Sequence, residues 1–116
     1  MIEGVGVDIV SVERIRKIYE KFGEKFLNRI FTEEEISYSF SHSNPFPHLA
    51  ARFAVKEAVI KALKKPSGLS LKQIELKNNS DGSPEIKING VNKRILVSLS
   101  HEKNYTVAMV IVENIL

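Results

Sequence analysis

The stretch from Arg52 to Pro66, RFAVKEAVIKALKKP, decides how the rest of the chain must fold. At about 100° per residue, Ala54, Val55, Ala58, Val59, Ala62 and Leu63 cover one half of a helical wheel, and Phe53 and Ile60 widen that apolar surface. A helix this apolar must be buried by the elements around it. A narrow polar stripe remains, on which Glu57, Lys61 and Lys64 follow one another at i, i+4 and i+7. Taken alone, the stripe reads first as an ordinary surface Glu-to-Lys pair, worth a few tenths of a kcal/mol. The second reading is a site, because one carboxylate and two amines are kept in a row on a helix that is otherwise buried.

Working outward, residues 2 to 9 have the pattern of a strand, with Val5, Val7 and Ile9 on one face and Gly4, Gly6 and Asp8 on the other. Two positions without side chains let a backbone or a ligand come close, so either Asp8 looks into an open space, or the glycines serve cross-strand packing and Asp8 is merely exposed at the strand end. Ser11 is the expected N-cap of a helix over 12 to 31, within which Gly23 is a candidate break. Its apolar stripe is Ile15, Ile18, Tyr19, Phe22 and Phe26. Beside it runs a basic ridge of Arg14, Lys17, Lys21 and Lys25, within about 80° of the wheel. Such a ridge is either a solvated face or the flank of a groove for an acidic helix. Thr32 followed by Glu33, Glu34 and Glu35 starts a short helix, with Glu35 in the capping-box position, ending near Ser41. SHSNPFPH reads as a loop before the long helix, expected over 49 to 64 and stopped by Pro66 and Gly68. Alternating apolar positions over 71 to 76, the turn NNSDGSP, a strand over 85 to 88, an Asn89-Gly90 turn and strands over 95 to 99 and 105 to 112 complete the chain. The order predicts an α+β fold, one domain over 1 to 116, with helices packed on a mostly antiparallel sheet.

A chain of 116 residues builds one compact core but is short for an enzyme that must enclose a large substrate alone, which favours a site shared between subunits. Apolar residues at 43% and charged residues at 27% argue against disorder. The absence of cysteine excludes disulfides, zinc-thiolate sites and a Cys nucleophile. The start, MIEGVGVDIV, lacks the pattern of a signal peptide, and no apolar run approaches the roughly 18 residues needed to span a bilayer. A cytoplasmic protein is expected. Its net charge of +3 invites an anionic ligand or partner without naming one.

GVGVDIVSVERI at 4 to 15, RFAVKEAVIKAL at 52 to 63 and VSLSH at 97 to 101, with FTEEE at 31 to 35, form an ordered set across nearly the whole chain. The set resembles holo-acyl-carrier-protein synthase, the small bacterial type of 4'-phosphopantetheinyl transferase. That resemblance implies a reaction in which a serine hydroxyl of apo acyl carrier protein attacks the β-phosphate of coenzyme A, phosphopantetheine is transferred and 3',5'-ADP leaves. It also implies that Asp8 and Glu57 hold Mg²⁺, or Mn²⁺ in its place, and that Lys61 steadies a phosphate as a point charge. A water held by the metal or by Glu57 is the expected proton acceptor, with Glu57 itself second. Arg52 and His101 match positions near the nucleotide end of coenzyme A, although a histidine at a strand end is often a turn residue. Arg14 matches a position that meets the carrier protein; Lys21 and Lys25 are expected beside it, and Lys17 only at the edge of the arc. A homotrimer with sites at its subunit boundaries is implied as well. The chain departs from the family in having KKPSG where Gly-rich sequence is usual, and only NGVNKR before the last strand pair.

Other residues are expected to play no chemical part. Lys56 projects about 100° away from Glu57 and should serve packing or an interface. His42 and His48 match no motif and read as structural. Ser100 and His101 point to opposite faces of a strand, which excludes a Ser-His dyad from that pair. The main competing reading is a non-enzymatic basic module that grips an acidic protein, or less plausibly RNA, but it leaves Asp8 and Glu57 unexplained. A different Mg²⁺-dependent phosphotransferase is the second competing reading, but no G-x-x-x-x-G-K-[ST] loop is present to support it.

Overall fold

The structure, a computed structural model, describes residues 1–64 and 66–115. Strand β1 (Ile2–Ser11) leads into helices α1 (Val12–Phe22), α2 (Glu24–Ile30), α3 (Glu33–Phe40) and α4 (Phe46–Ala62). A single 3-10 turn at Leu71–Gln73 precedes strands β2 (Ile74–Asn78), β3 (Pro84–Ile88), β4 (Arg94–His101) and β5 (Tyr105–Glu113). Two sheets form, one of three strands in the order β1-β5-β4 and one of the hairpin β2-β3, and every pairing is antiparallel. The α+β expectation holds.

The caps fall where the sequence puts them. Ser11 Oγ accepts from the Arg14 amide at 3.2 Å and opens α1. Gly23, at φ 60, breaks what would otherwise be one long helix, because only glycine takes that conformation cheaply. Thr32 and Glu35 form the reciprocal capping box of α3. Some boundaries differ from expectation. Helix α4 begins a turn earlier, at Phe46, since Pro47 lacks only an amide that the first turn would leave unbonded. It ends at Ala62, with Leu63 as its cap and Lys64 in a left-handed conformation at φ 62. Lys65, within the KKPSG segment, lies outside the described residues. Strand β2 starts only at Ile74, because Ser70 and Gln73 cap the 3-10 turn that takes up residues 71 to 73.

Helix α4 forms the centre of the core. Leu49, Ala50, Ala54, Val55, Ala58, Val59 and Ala62 are buried on it, against Val10 of β1 and Ala108, Val110 and Val112 of β5. The small residues matter at one contact. A Cβ placed on Gly4 would overlap the carbonyl oxygen of Ala62, and one on Gly6 would overlap that of Ala58. The bare face of β1 therefore lies directly on the backbone of α4, which is what its glycines permit. Its other face, Val5, Val7 and Ile9, stays more than half exposed.

A second tie to α4 is polar and fully buried. Lys56 Nζ lies 2.8 Å from Glu35 Oε1, both side chains having no solvent exposure, and donates to the carbonyls of Leu71, at 3.0 Å, and Ile74. Glu35 also accepts from the amides of Thr32 and Leu76, each at 2.9 Å. The packing role expected of Lys56 is realised, and Glu35, expected only as a cap, also anchors β2. Burial lowers the pKa of the Lys56 ammonium while Glu35 opposes that shift.

Gly6→Ala should cost at least about 2 kcal/mol, or roughly 8 °C in Tm, since the added methyl meets backbone that cannot yield without separating β1 from α4. Thermal unfolding followed by circular dichroism measures it; a Tm equal to that of the parent protein would contradict the close packing.

Candidate active site

Because Gly4 and Gly6 bring β1 onto α4, Asp8 on the same face of the strand is brought to the polar stripe of the helix. The ammonium of Lys61 crosses the gap. Its Nζ donates to Asp8 Oδ1 at 2.9 Å and to the Val7 carbonyl at 2.9 Å. The Asp8 side chain is only 18% exposed and that of Lys61 is 49% exposed, so the pair sits at a half-open edge. Glu57 is half-buried on the same stripe, one turn before Lys61 and about 6 Å along the axis. Among the described residues it has no donor or cation paired with it. The surface Glu57-Lys61 pair that the bare sequence suggested first is absent there: Lys61 turns to Asp8 instead. Lys64 has left the stripe, because it lies past the end of α4.

Two carboxylates with free oxygen lone pairs, one of them already holding a cationic group, suit a hard divalent ion. Mg²⁺ takes one or two carboxylates and completes its shell with water and phosphate. The ammonium on Asp8 stands where positive charge is favoured, and Glu57 is left to contribute the second oxygen donor. The residues present therefore fit the ion implied by the sequence.

Arg52 and His101 line one cleft of about 400 Å³, with Tyr38, His48 and Asn78. Arg52 is only 4% exposed, and its guanidinium lies over the Tyr38 ring, 4.3 Å from the centroid. Its contacts are thin: 3.5 Å to the His48 carbonyl and 3.4 Å to Asn78 Oδ1, with Nε unpartnered. A buried guanidinium so poorly paired calls for an anion. Its burial lowers its pKa, and Glu35 and Tyr38 oppose that. His48 stacks on His42 with ring centroids 3.8 Å apart. Its pKa is lowered by burial first and then by His42, Arg52 and His101. His48, Tyr38 and Asn78 went unrecognised in the sequence. The sequence reads His48 as a structural residue of the loop; with α4 starting at Phe46 it lies one turn before Arg52, on the cleft side of the helix.

The basic ridge is shorter than expected. Arg14, Lys17 and Lys21 flank a cleft of about 540 Å³ together with Glu13, Ile18 and Phe22, and Phe22 is 53% exposed. Lys25 does not line it, because the break at Gly23 puts Lys25 on α2 rather than on a continuation of α1. Lys17, expected only at the edge, is part of the cleft wall.

Comparison with known proteins gives these features a family. The family model described as the 4'-phosphopantetheinyl transferase superfamily matches residues 4–110, and the chain belongs to that family. It is an enzyme, a phosphopantetheinyl transferase. The holo-[acyl-carrier-protein] synthase of Thermodesulfovibrio yellowstonii is 79% identical over 112 residues, covering 97% of this chain and 99% of the relative. That of Aquifex aeolicus is 46% identical, covering 90% and 93%. Among solved structures, a holo-(acyl-carrier-protein) synthase from Bacillus anthracis in complex with CoA (3',5'-ADP) matches with a TM-score of 0.88 at 33% identity, covering 98% of each chain. The Helicobacter pylori enzyme in complex with coenzyme A matches with a TM-score of 0.82 at 32% identity, covering 94% of this chain and 99% of that one.

Proposed function

We propose that this transferase moves 4'-phosphopantetheine from coenzyme A to a serine of apo acyl carrier protein, releasing 3',5'-ADP, with Asp8 and Glu57 holding Mg²⁺. One observation carries the reading. In a chain of this family, Lys61 joins Asp8 across the contact between β1 and α4, with Glu57, unpaired among the described residues, one turn away. The relatives whose structures contain coenzyme A supply the substrate.

Held by the two carboxylates, the ion would neutralise the diphosphate and favour departure of its bridging oxygen. Asp8 and Glu57 keep that charge fixed, since one rides on a strand seated on backbone and the other on a buried helix. Lys61 adds a point charge for a phosphate oxygen. The serine oxygen forms a bond to the β-phosphorus, the bond from that phosphorus to the bridging oxygen breaks, and the serine proton passes to a water beside Glu57 or to Glu57 itself. Arg52 and His101 receive the nucleotide end, and the Arg52 guanidinium, whose Nε is unpartnered, gains an anion. The setting we infer is the cytoplasm, where coenzyme A and carrier protein meet.

The decisive assay is the intact mass of apo acyl carrier protein after incubation with this protein, coenzyme A and Mg²⁺. A gain of one phosphopantetheine is expected; an unchanged mass would sink the reading. Asp8→Ala and Glu57→Ala should each abolish the gain while keeping the parent circular dichroism, and full activity of either variant in excess chelator would remove the metal.

The assembly we infer is a homotrimer with shared sites. Val5, Val7, Ile9, Leu96, Tyr105 and Met109 are 43–62% exposed on the outer face of the three-stranded sheet, an apolar surface that favours a covering copy. Arg52 lies five residues before Glu57, about 140° round α4, so a ligand that touches both subsites is met more simply by two chains than by one. Light scattering that finds an active monomer would contradict this.

The cleft of Arg14, Lys17, Lys21, Ile18 and Phe22 is the docking surface we assign to the carrier protein, whose acidic helix would lie along it, with Lys25 outside its wall. Arg14→Glu or Lys21→Glu should raise KM for the carrier protein about tenfold, or about 1.4 kcal/mol, and leave KM for coenzyme A unchanged. A defect confined to coenzyme A would show the ridge to be a solvated face.

A further inference from the structure

One of the two carboxylates assigned above to the metal already pairs with a cation of this chain. Lys61 donates to Asp8 Oδ1 and to the Val7 carbonyl, both at 2.9 Å, so two of its three ammonium donors are used inside the protein. The neighbouring carboxylate, Glu57, has no partner among the described residues. The asymmetry is informative, because Glu57 lies at the i−4 position that a helical lysine ordinarily pairs with. Lys61 has passed over its helical neighbour for the strand.

We propose that Lys61 is a place-holder on Asp8: it occupies the metal-binding carboxylate of the free enzyme and releases it when the diphosphate of coenzyme A arrives, so that metal and coenzyme A bind as one coupled event. The inference rests on the two-carboxylate reading above and adds a regulation to it. A divalent ion on Asp8 beside the ammonium puts two like charges a few Å apart, and their repulsion at a partly desolvated edge weakens binding of the ion for as long as Lys61 stays. Without a diphosphate, the ion either sits against that repulsion or displaces Lys61 and breaks both of its hydrogen bonds, and either lowers its affinity. With a diphosphate present, Lys61 has an anion to move to, and its stem is long and about half exposed, so it can swing without disturbing the core. The coupling is reciprocal, and a metal on Asp8 must equally strengthen coenzyme A binding. The arrangement keeps the diphosphate-activating charge out of the site until a substrate is present.

Chelation by coenzyme A would itself produce some coupling, so the discriminating measurement is made without coenzyme A. The probe is Mn²⁺, with free ion read from its electron paramagnetic resonance signal, in the whole protein and with no carrier protein present. Lys61→Met should bind Mn²⁺ about tenfold more tightly than the parent protein, because nothing then competes for Asp8. Lys61→Arg, which keeps the cation, should bind it as weakly as the parent. Adding coenzyme A should tighten Mn²⁺ binding less in Lys61→Met than in the parent, and Asp8→Asn should weaken it in both backgrounds. Circular dichroism and thermal unfolding establish that each variant is folded, as expected for an exposed side chain. If the parent with coenzyme A holds no more Mn²⁺ than coenzyme A alone, the two-carboxylate reading fails and this inference with it. If the parent holds Mn²⁺ with coenzyme A but Lys61→Met binds it no more tightly than the parent when coenzyme A is absent, the place-holder alone is overturned.

Discussion

Backbone packed on backbone is the constraint from which the candidate site follows. Gly4 and Gly6 present no side chain to α4, and the carbonyls of Ala58 and Ala62 occupy the space their Cβ atoms would need. That contact fixes the distance between the first strand and the central helix to within what bare backbone allows. Asp8, next on the same face, is thereby carried to the edge of the helix, where Lys61 can reach it. A side chain at either glycine would lever the strand away and separate the carboxylate from the stripe it serves.

Two lysines on the same helix illustrate how position decides chemistry. Lys56 is wholly buried and held by Glu35 and two carbonyls, so its charge is spent on joining α3, α4 and β2. Removing one partner of such a pair costs far more than the pair contributes net, which makes it a structural fixture rather than a reagent. Lys61, five residues on, lies at a half-open edge with a carboxylate that it can leave. Arg52 stands between these cases, buried like Lys56 but underpaired, with its Nε unpartnered at a cleft it shares with Tyr38, His48 and His101.

Much of this was legible in the sequence, and the reasons differ by element. The α4 wheel, the Ser11 and Thr32 caps and the alternation of β1, β4 and β5 are local patterns, and local patterns carry their own geometry. The break at Gly23 was legible too, but its consequence was missed: a ridge drawn on one continuous wheel included Lys25, which the break moves to another helix. Pro47 misled in the opposite sense, because a proline inside the first turn looks like a loop until the helix is seen to start before it. The choice of Lys61 between Glu57 and Asp8 was not legible. The intrahelical partner is visible in one dimension, whereas the strand partner lies 53 residues away and depends on the glycine contact.

The central claim is that Asp8 and Glu57, one on each of the two elements joined by that contact, hold one divalent ion beside the diphosphate. Anomalous diffraction from crystals grown with coenzyme A and Mn²⁺ tests it most directly. The account predicts one manganese peak within bonding distance of carboxylate oxygens from both Asp8 and Glu57 and of a diphosphate oxygen, with Lys61 turned from Asp8 to the phosphate. A peak bound elsewhere, or coenzyme A seated with no peak between these two carboxylates, would contradict it.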